Sequence, residues 1–298
     1  TETLIGDMMV GDIDVAYSTY LGYDEIAHHS GVRDDDAWFA LKGMDRQIRR
    51  LVNGNKYSPR EYQFVIQSDH GQTNGATFKQ RYGQSFEDFV KSLLPQDINI
   101  YAEMSSNEDR FAGAYNPFSG KIKYFENRRK AFKEKKLAES EIVVLASGNL
   151  AMIYMTKWSH RLSYEEINEM FPDMIDGIVN NEYVGFVLVR SSEKGDMAIG
   201  RNGIYYLDTD EIEGENPLEG FGKNIVQHLK RNSSFKYTPD ILVNSFYDAL
   251  NDEVCAFEEL VGSHGGVGGS QSEPFILYPS QWNVPDEEIV GAENVYKI

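Results

Sequence analysis

Glu61-Tyr62-Gln63-Phe64-Val65-Ile66-Gln67-Ser68-Asp69-His70-Gly71-Gln72-Thr73 is the stretch around which the rest of the chain is read. Phe64 to Ile66 is a short apolar run with β-branched residues, of the kind a buried parallel strand uses. It stops at an acid, an imidazole and a glycine. In an open α/β sheet that position, the carboxyl end of a strand, is where a metal or substrate site sits. Asp69 supplies a hard anionic oxygen and His70 a borderline nitrogen, a pairing suited to a divalent metal. Gly71 permits the sharp turn that aims both side chains at one point. Alone, the pair also describes an ordinary polar strand end, so its company elsewhere in the chain decides.

Working back towards Thr1, Ile13-Asp14-Val15-Ala16-Tyr17 alternates and is rich in strand formers. Next comes Tyr23-Asp24-Glu25-Ile26-Ala27-His28-His29-Ser30-Gly31, in which Asp24 and His28 are spaced to share one face of a helical turn while His29 points elsewhere. Asp34 caps a helix whose stripe runs through Trp38, Leu41, Ile48 and Leu51 and stops at Asn53-Gly54. Residues 10–70 therefore read strand, helix, strand. A βαβ unit of that kind lays its strands parallel and brings Asp24, His28, Asp69 and His70 to one end of the sheet.

The chain has 298 residues, 41% hydrophobic and 12% aromatic, enough for a sizeable core and against disorder. A net charge of −18 disfavours a broad basic face for duplex nucleic acid or an anionic membrane. It leaves room for a small phosphate-ester substrate, because bound metal inverts the local field. The single cysteine, Cys255, cannot form an internal disulfide, and its apolar run Val254-Cys255-Ala256-Phe257 suits a small buried thiol. No apolar run reaches the length of a membrane span and no signal peptide is visible, so a soluble domain is expected. Beginning at Thr1 without Met, the chain reads as a fragment or processed form.

Downstream, Ser85 and Asp88 open a helix ended by Pro95. Residues from about 100 to 140 read as a loop followed by a charged, solvated helical excursion. Strands are expected at Ile142–Leu145, Leu150–Tyr154, Val184–Val189, Ile241–Val243 and Val254–Leu260. A capping box is expected at Ser163 and Glu166, and a hairpin about Gly200-Arg201-Asn202-Gly203. Pro217 opens a helix through Leu218, Phe221, Ile225 and Leu229. No repeat and no clear linker interrupts the chain, so one domain is expected. The run Gly262-Ser263-His264-Gly265-Gly266-Val267-Gly268-Gly269 lacks the strand-loop-helix order of a phosphate cradle, and its glycines instead suit close backbone packing with His264 facing a site. His160 and His228 have no ligand spacing and read as surface histidines.

Three blocks in order, Asp24-x-x-x-His28, Asp69-His70-Gly71 and His264-Gly265, resemble the alkaline phosphatase superfamily and most closely its nucleotide pyrophosphatase/phosphodiesterase branch. The resemblance extends over most of the chain, through Ser147-Gly148-Asn149-Leu150 and the tail Glu273-Pro274-Phe275-Ile276-Leu277-Tyr278-Pro279. It implies a three-layer α/β/α domain with a mostly parallel central sheet. It also implies a metal-dependent phosphoric ester hydrolase with two divalent metals, zinc or alternatively manganese, roughly 4 Å apart about an in-line phosphoryl transfer. Carried over by motif, Asp24, His28 and His264 hold one metal, and Asp69 and His70 the other. The family completes the second site with a further Asp and a Thr or Ser nucleophile on earlier strands, and full-length relatives carry membrane segments upstream. Only 23 residues precede Asp24, and Thr19 lies too near it to serve. The nucleophile and one ligand are therefore expected outside this chain, whose activity by itself is expected near background. Cys255 lacks the C/S-x-P-x-R setting of the sulfatase branch, while the phosphomutase branch shares much of the ligand set. The alternative function is a non-catalytic metal-binding or partner-binding domain that retains the fold.

Overall fold

A computed structural model of the chain describes residues 1–104, 140–284 and 286–297. Most of the excursion expected at about 100–140 lies outside the described residues. The chain forms two compact units, one built from 1–20, 42–69 and 274–298, the other from 21–41 and 70–273. It passes between them after Tyr20, Leu41, Asp69 and Glu273, at none of which the sequence shows a linker.

The larger unit is mixed α/β. Its principal sheet has eight strands, β3 (Ile100–Met104), β4 (Ile142–Ser147), β5 (Leu150–Met155), β6 (Val184–Ser191), β7 (Gly195–Gly200), β8 (Gly203–Tyr206), β9 (Glu211–Gly214) and β10 (Ile241–Ser245). They run in the order β3-β4-β5-β10-β6-β7-β8-β9. Only β3 and β4 pair parallel, and every other neighbouring pair is antiparallel. The sheet is thus not the mostly parallel one expected, and the reason is visible in its burial. Val187, Val189, Ile241 and Val243 belong to one core cluster, whereas Phe186, Leu188 and Leu242 belong to another. Successive side chains of a strand alternate between faces, so both faces of this sheet are covered. Burial on both faces produces continuous apolar runs whichever way the strands run. The connections settle direction: Gly148-Asn149 joins β4 to β5 and Arg201-Asn202 joins β7 to β8. Two residues can reverse a chain but cannot carry a crossover.

A second sheet in this unit has four short strands in the order β11-β12-β2-β13, comprising β11 (Tyr247–Asp248), β12 (Glu253–Val254), β2 (Thr73–Asn74) and β13 (Gly262–Ser263). The strand expected over Val254–Leu260 is confined to its first residue. Helix α2 (Gly22–Ser30) packs on β13.

Helices form where their caps require. Thr77 and Gln80 exchange side-chain and backbone bonds about α4 (Phe78–Tyr82), Ser85 accepts from the Asp88 amide at the start of α5 (Phe86–Ser92), and Ser163 with Glu166 makes the expected capping box for helix Tyr164–Met170. The helix expected from Pro217 begins only at Ile225 and runs to Ser233. The core gathers on Phe78, fully buried, whose ring lies 5.4 Å from Phe86, 5.7 Å from Phe89 and 5.8 Å from Phe257. Cys255 is fully buried, and burial pushes its thiol up to about 12, against a smaller opposing effect of Arg81.

The smaller unit contains α1 (Glu2–Val10), the C-terminal part of α3 (Asp35–Asn55), and an antiparallel pair of β1 (Ile66–Gln67) and β14 (Ile276–Leu277). Residues 13–17 form no strand, with Val15 73% and Tyr17 94% exposed, so the βαβ unit expected over 10–70 does not form. Asp34 does cap α3 by accepting from the Asp36 amide. Of the stripe expected on α3, Leu51 is buried while Trp38 and Leu41 are exposed. Tyr62 is tied by its backbone to the Asn55 side chain in both directions and donates its hydroxyl to the Ile13 carbonyl. Among the described residues no helix is long and apolar enough to cross a membrane.

Deleting the Phe78 ring removes the centre of the aromatic cluster. Phe78→Ala is expected to cost about 3–5 kcal/mol, checked by the shift in urea midpoint of the larger unit's unfolding transition.

Candidate metal centre

The site grows from a helix lying close against a strand. Asp24 and His28 stand four apart on α2, as their spacing requires, and His29 is exposed. A Cβ at position 262 would collide with the Ala27 carbonyl oxygen, so only glycine lets β13 approach the last turn of α2 this closely. That approach is sealed by two bonds: the Val261 amide donates to the His28 carbonyl at 2.9 Å, and His28 Nδ1 lies 2.6 Å from the Gly262 carbonyl oxygen. A carbonyl only accepts, so Nδ1 carries the proton in neutral His28 and the Nε2 lone pair is left for a ligand. Nε2 is buried and makes no hydrogen bond; its nearest charge is Asp24 Oδ1 at 3.6 Å.

His264 follows β13 directly and brings its Nε2 to 3.8 Å from the same Asp24 oxygen. Its loop is clamped from the principal sheet. The fully buried Asn149, in the turn between β4 and β5, accepts from the Gly266 amide at 3.0 Å. Asn244 of β10, 1% exposed, accepts from the Val267 amide at 2.8 Å, and both asparagines donate to the Val267 carbonyl at 3.1 Å. One potential ligand atom from each of Asp24, His28 and His264 lies within 4.8 Å of the others, the one such grouping of three among the described residues. Of the five residues expected from the sequence, Asp24, His28 and His264 thus come together, through helix-on-strand packing and not through the edge of a parallel sheet.

The remaining two predicted ligands stand differently. His70 stacks on His264 with ring centroids 3.6 Å apart, and its Nδ1 lies 3.0 Å from the Gly71 carbonyl oxygen. Asp69, exposed, is the last residue of its segment of the smaller unit. Neither joins the grouping of three. Gly71 does not take a left-handed conformation; a Cβ there would strike the Ser270 carbonyl, so close approach and not a sharp turn requires glycine. His160 and His228 are exposed, as expected, with His160 paired to Glu166.

Sequence reading missed Gln72, whose side-chain amide donates to Asp24 Oδ1 and, at 3.2 Å, to the Asp24 carbonyl. It also missed Asn149 and Asn244. Gln72 follows the Asp-His-Gly block at once, a proximity that could have flagged it, whereas nothing local marks the asparagines.

Electrostatics favour a cation. Burial works to raise the Asp24 carboxyl, but the His28 imidazole, the Gln72 amide and the His264 charge outweigh it and hold it at about 2. Burial works to lower His28, and the Asp24 carboxylate with the Gly262 carbonyl outweighs that, leaving it above the ordinary imidazole value of 6.5. The donor set is one carboxylate oxygen and two imidazole nitrogens, with a buried Nε2 that has no other partner. Such a donor set could hold a divalent metal ion. No protein-family profile, curated protein or solved structure matches the chain.

His28→Ala is expected to abolish zinc binding at this site and His29→Ala to leave it intact, measured as bound metal per chain after dialysis. A proton would compete with a bound metal for His28. Its raised pKa means that affinity falls, by about tenfold per pH unit for each proton displaced, already as pH drops through values above 6.5. Without metal the signs differ between the partners. The stability from His28 is present at low pH and lost as pH rises through its raised pKa, while that from Asp24 is present above 3.8 and lost as pH falls towards 2. Asp24→Asn is expected to flatten both limbs of the stability–pH curve.

Gly262→Ala must push α2 away from β13. A loss of about 1–3 kcal/mol is expected from overpacking, together with weaker zinc binding, read by thermal unfolding with and without zinc.

Proposed function

We propose that the protein is a metal-dependent phosphoric ester hydrolase of the phosphodiesterase type. The observation that supports this reading is the meeting of the Asp24-x-x-x-His28 block with His264, residues 236 or more apart in sequence, at a point where His28 offers a buried, unpartnered nitrogen. Asp24, His28 and His264 would hold one divalent metal. Asp69 and His70 are proposed for the second, with His70 already against the first site through His264. Such metals polarise a phosphoryl oxygen and stabilise developing charge on the attacking and leaving oxygens. The chain's own contribution is to fix the imidazole tautomers and aim the carboxylate. A small-molecule phosphate ester is the proposed substrate class.

The decisive experiment separates binding from turnover. The chain is loaded with zinc or manganese, and binding of orthovanadate, a phosphoryl mimic, is followed beside hydrolysis of bis(p-nitrophenyl) phosphate and p-nitrophenyl phosphate. Vanadate binding that requires metal and disappears in His264→Ala is the expected outcome. Metal binding without any oxyanion binding would sink the hydrolase reading and leave the non-catalytic metal-binding domain.

A further inference from the structure

We propose that Gln72 is a positioning residue that holds the Asp24 carboxylate ready for a metal; this rests on the reading of Asp24, His28 and His264 as ligands. Asp24 sits in the first turn of α2 with its side chain 35% exposed, so burial alone does not fix its rotation. Gln72 supplies the constraint. In the β2–β13 pair Asn74 stands opposite Gly262 and Thr73 opposite Ser263. Gln72 immediately precedes this pair on one segment and His264 immediately follows it on the other. Both side chains then converge on one oxygen: the Gln72 amide donates to Asp24 Oδ1, and His264 Nε2 lies 3.8 Å from it.

The bonding is specific in kind. Gln72 Nε2 bridges the carboxylate and the main-chain carbonyl of the same residue, and a donor shared between those two atoms fixes the side-chain rotation about the Asp24 Cα–Cβ bond. Both atoms are acceptors, so the amide must present nitrogen and turn its oxygen away. Gln72 Oε1 is consequently buried with no hydrogen-bond partner, in a residue only 9% exposed. A glutamine retained for packing alone would pair both ends, since a buried orphan acceptor is destabilising. The amide is also neutral. The ion-pair partners of Asp24 are the two candidate ligand histidines, and neither Lys nor Arg is paired with it among the described residues. A lysine or arginine there would orient the carboxylate and cancel its charge, whereas an amide orients it and leaves the charge for a cation. Ligating carboxylates are held in this way by outer hydrogen bonds, and loss of such a partner weakens metal binding by about 10–100-fold.

The test compares the unaltered chain, Gln72→Met, Asp24→Ala and the double variant. Zinc affinity is read by competition with a chromophoric chelator, and the urea midpoint of each metal-free form is read in parallel. Met has nearly the volume of Gln and no donor. Gln72→Met is expected to weaken zinc by about 10–100-fold when Asp24 is present and by less than about twofold when Asp24 is already Ala, because residues acting through one another are non-additive. Equal losses in the two backgrounds, or none in either, would overturn the proposal. Absence of zinc binding by the unaltered chain would remove the metal reading and this role together, an outcome distinct from normal binding by Gln72→Met. If Gln72→Met does not fold, hydrogen exchange of the Gln72 side-chain amide in the unaltered, zinc-loaded protein gives the answer. Protected protons are expected, and free exchange would refute the bridge to Asp24.

Discussion

The close approach of α2 to β13 is the constraint on which the site depends. At Gly262 the sheet backbone reaches the carbonyl end of the helix turn bearing His28, and a single additional carbon would separate them. The same approach lets a carbonyl oxygen of β13 engage His28 Nδ1, which selects the tautomer and directs the opposite nitrogen inward. Main-chain atoms thus do two things at one place: they engage the last turn of a helix and orient a candidate ligand. A carbonyl is well suited to the last task because it is only an acceptor and is positioned by its own strand.

The buried His28 Nε2 has an energetic consequence. A polar atom removed from water without a partner destabilises the fold by about 1–3 kcal/mol, and native proteins hold few of them. Here it lies beside a carboxylate and a second imidazole whose acceptor atoms cannot satisfy it while it remains a lone pair. Either a proton or a metal resolves the conflict. The raised pKa of His28 is the protonic solution, and a metal held by the three-residue grouping would be the other. The two solutions compete at the same atom.

The two compact units carry this burden unequally. The larger has a sheet covered on both faces and a cluster of aromatic rings about Phe78. Asn149, in the β4–β5 turn, and Asn244, on β10, both hydrogen-bond the backbone of the His264 loop. In the smaller unit Met8 and Leu51 are the large apolar side chains buried among the described residues, and its order rests more on side-chain bonds to backbone such as those of Asn55 and Ser58.

Local structure and chemistry were legible in the sequence wherever their cause was local. Capping residues announced α5 and the helix at Tyr164–Met170, two-residue turns announced the hairpins, and the four-residue spacing of Asp24 and His28 gave their common face. The apolar run at Phe64–Ile66 forms only the pair Ile66–Gln67, with Val65 43% exposed. Those at Ile142–Leu145, Leu150–Tyr154, Val184–Val189 and Ile241–Val243 announced strands but not their direction, because an antiparallel strand covered on both faces has the same composition as a parallel one. The turn lengths carried that information, and they point to antiparallel pairing throughout β4–β5 and β6–β8. The alternation at 13–17 failed as a strand signal because a strand requires a partner, which is a non-local condition. That His264 joins Asp24 and His28 also could not be derived from periodicity, since it depends on a backbone contact at Gly262 and on two asparagines more than a hundred and about twenty residues away in sequence. The residue types of the site were set by the sequence alone. Their convergence was decided by tertiary packing, because only a folded chain can press one carbonyl against one imidazole and leave the opposite nitrogen facing a carboxylate.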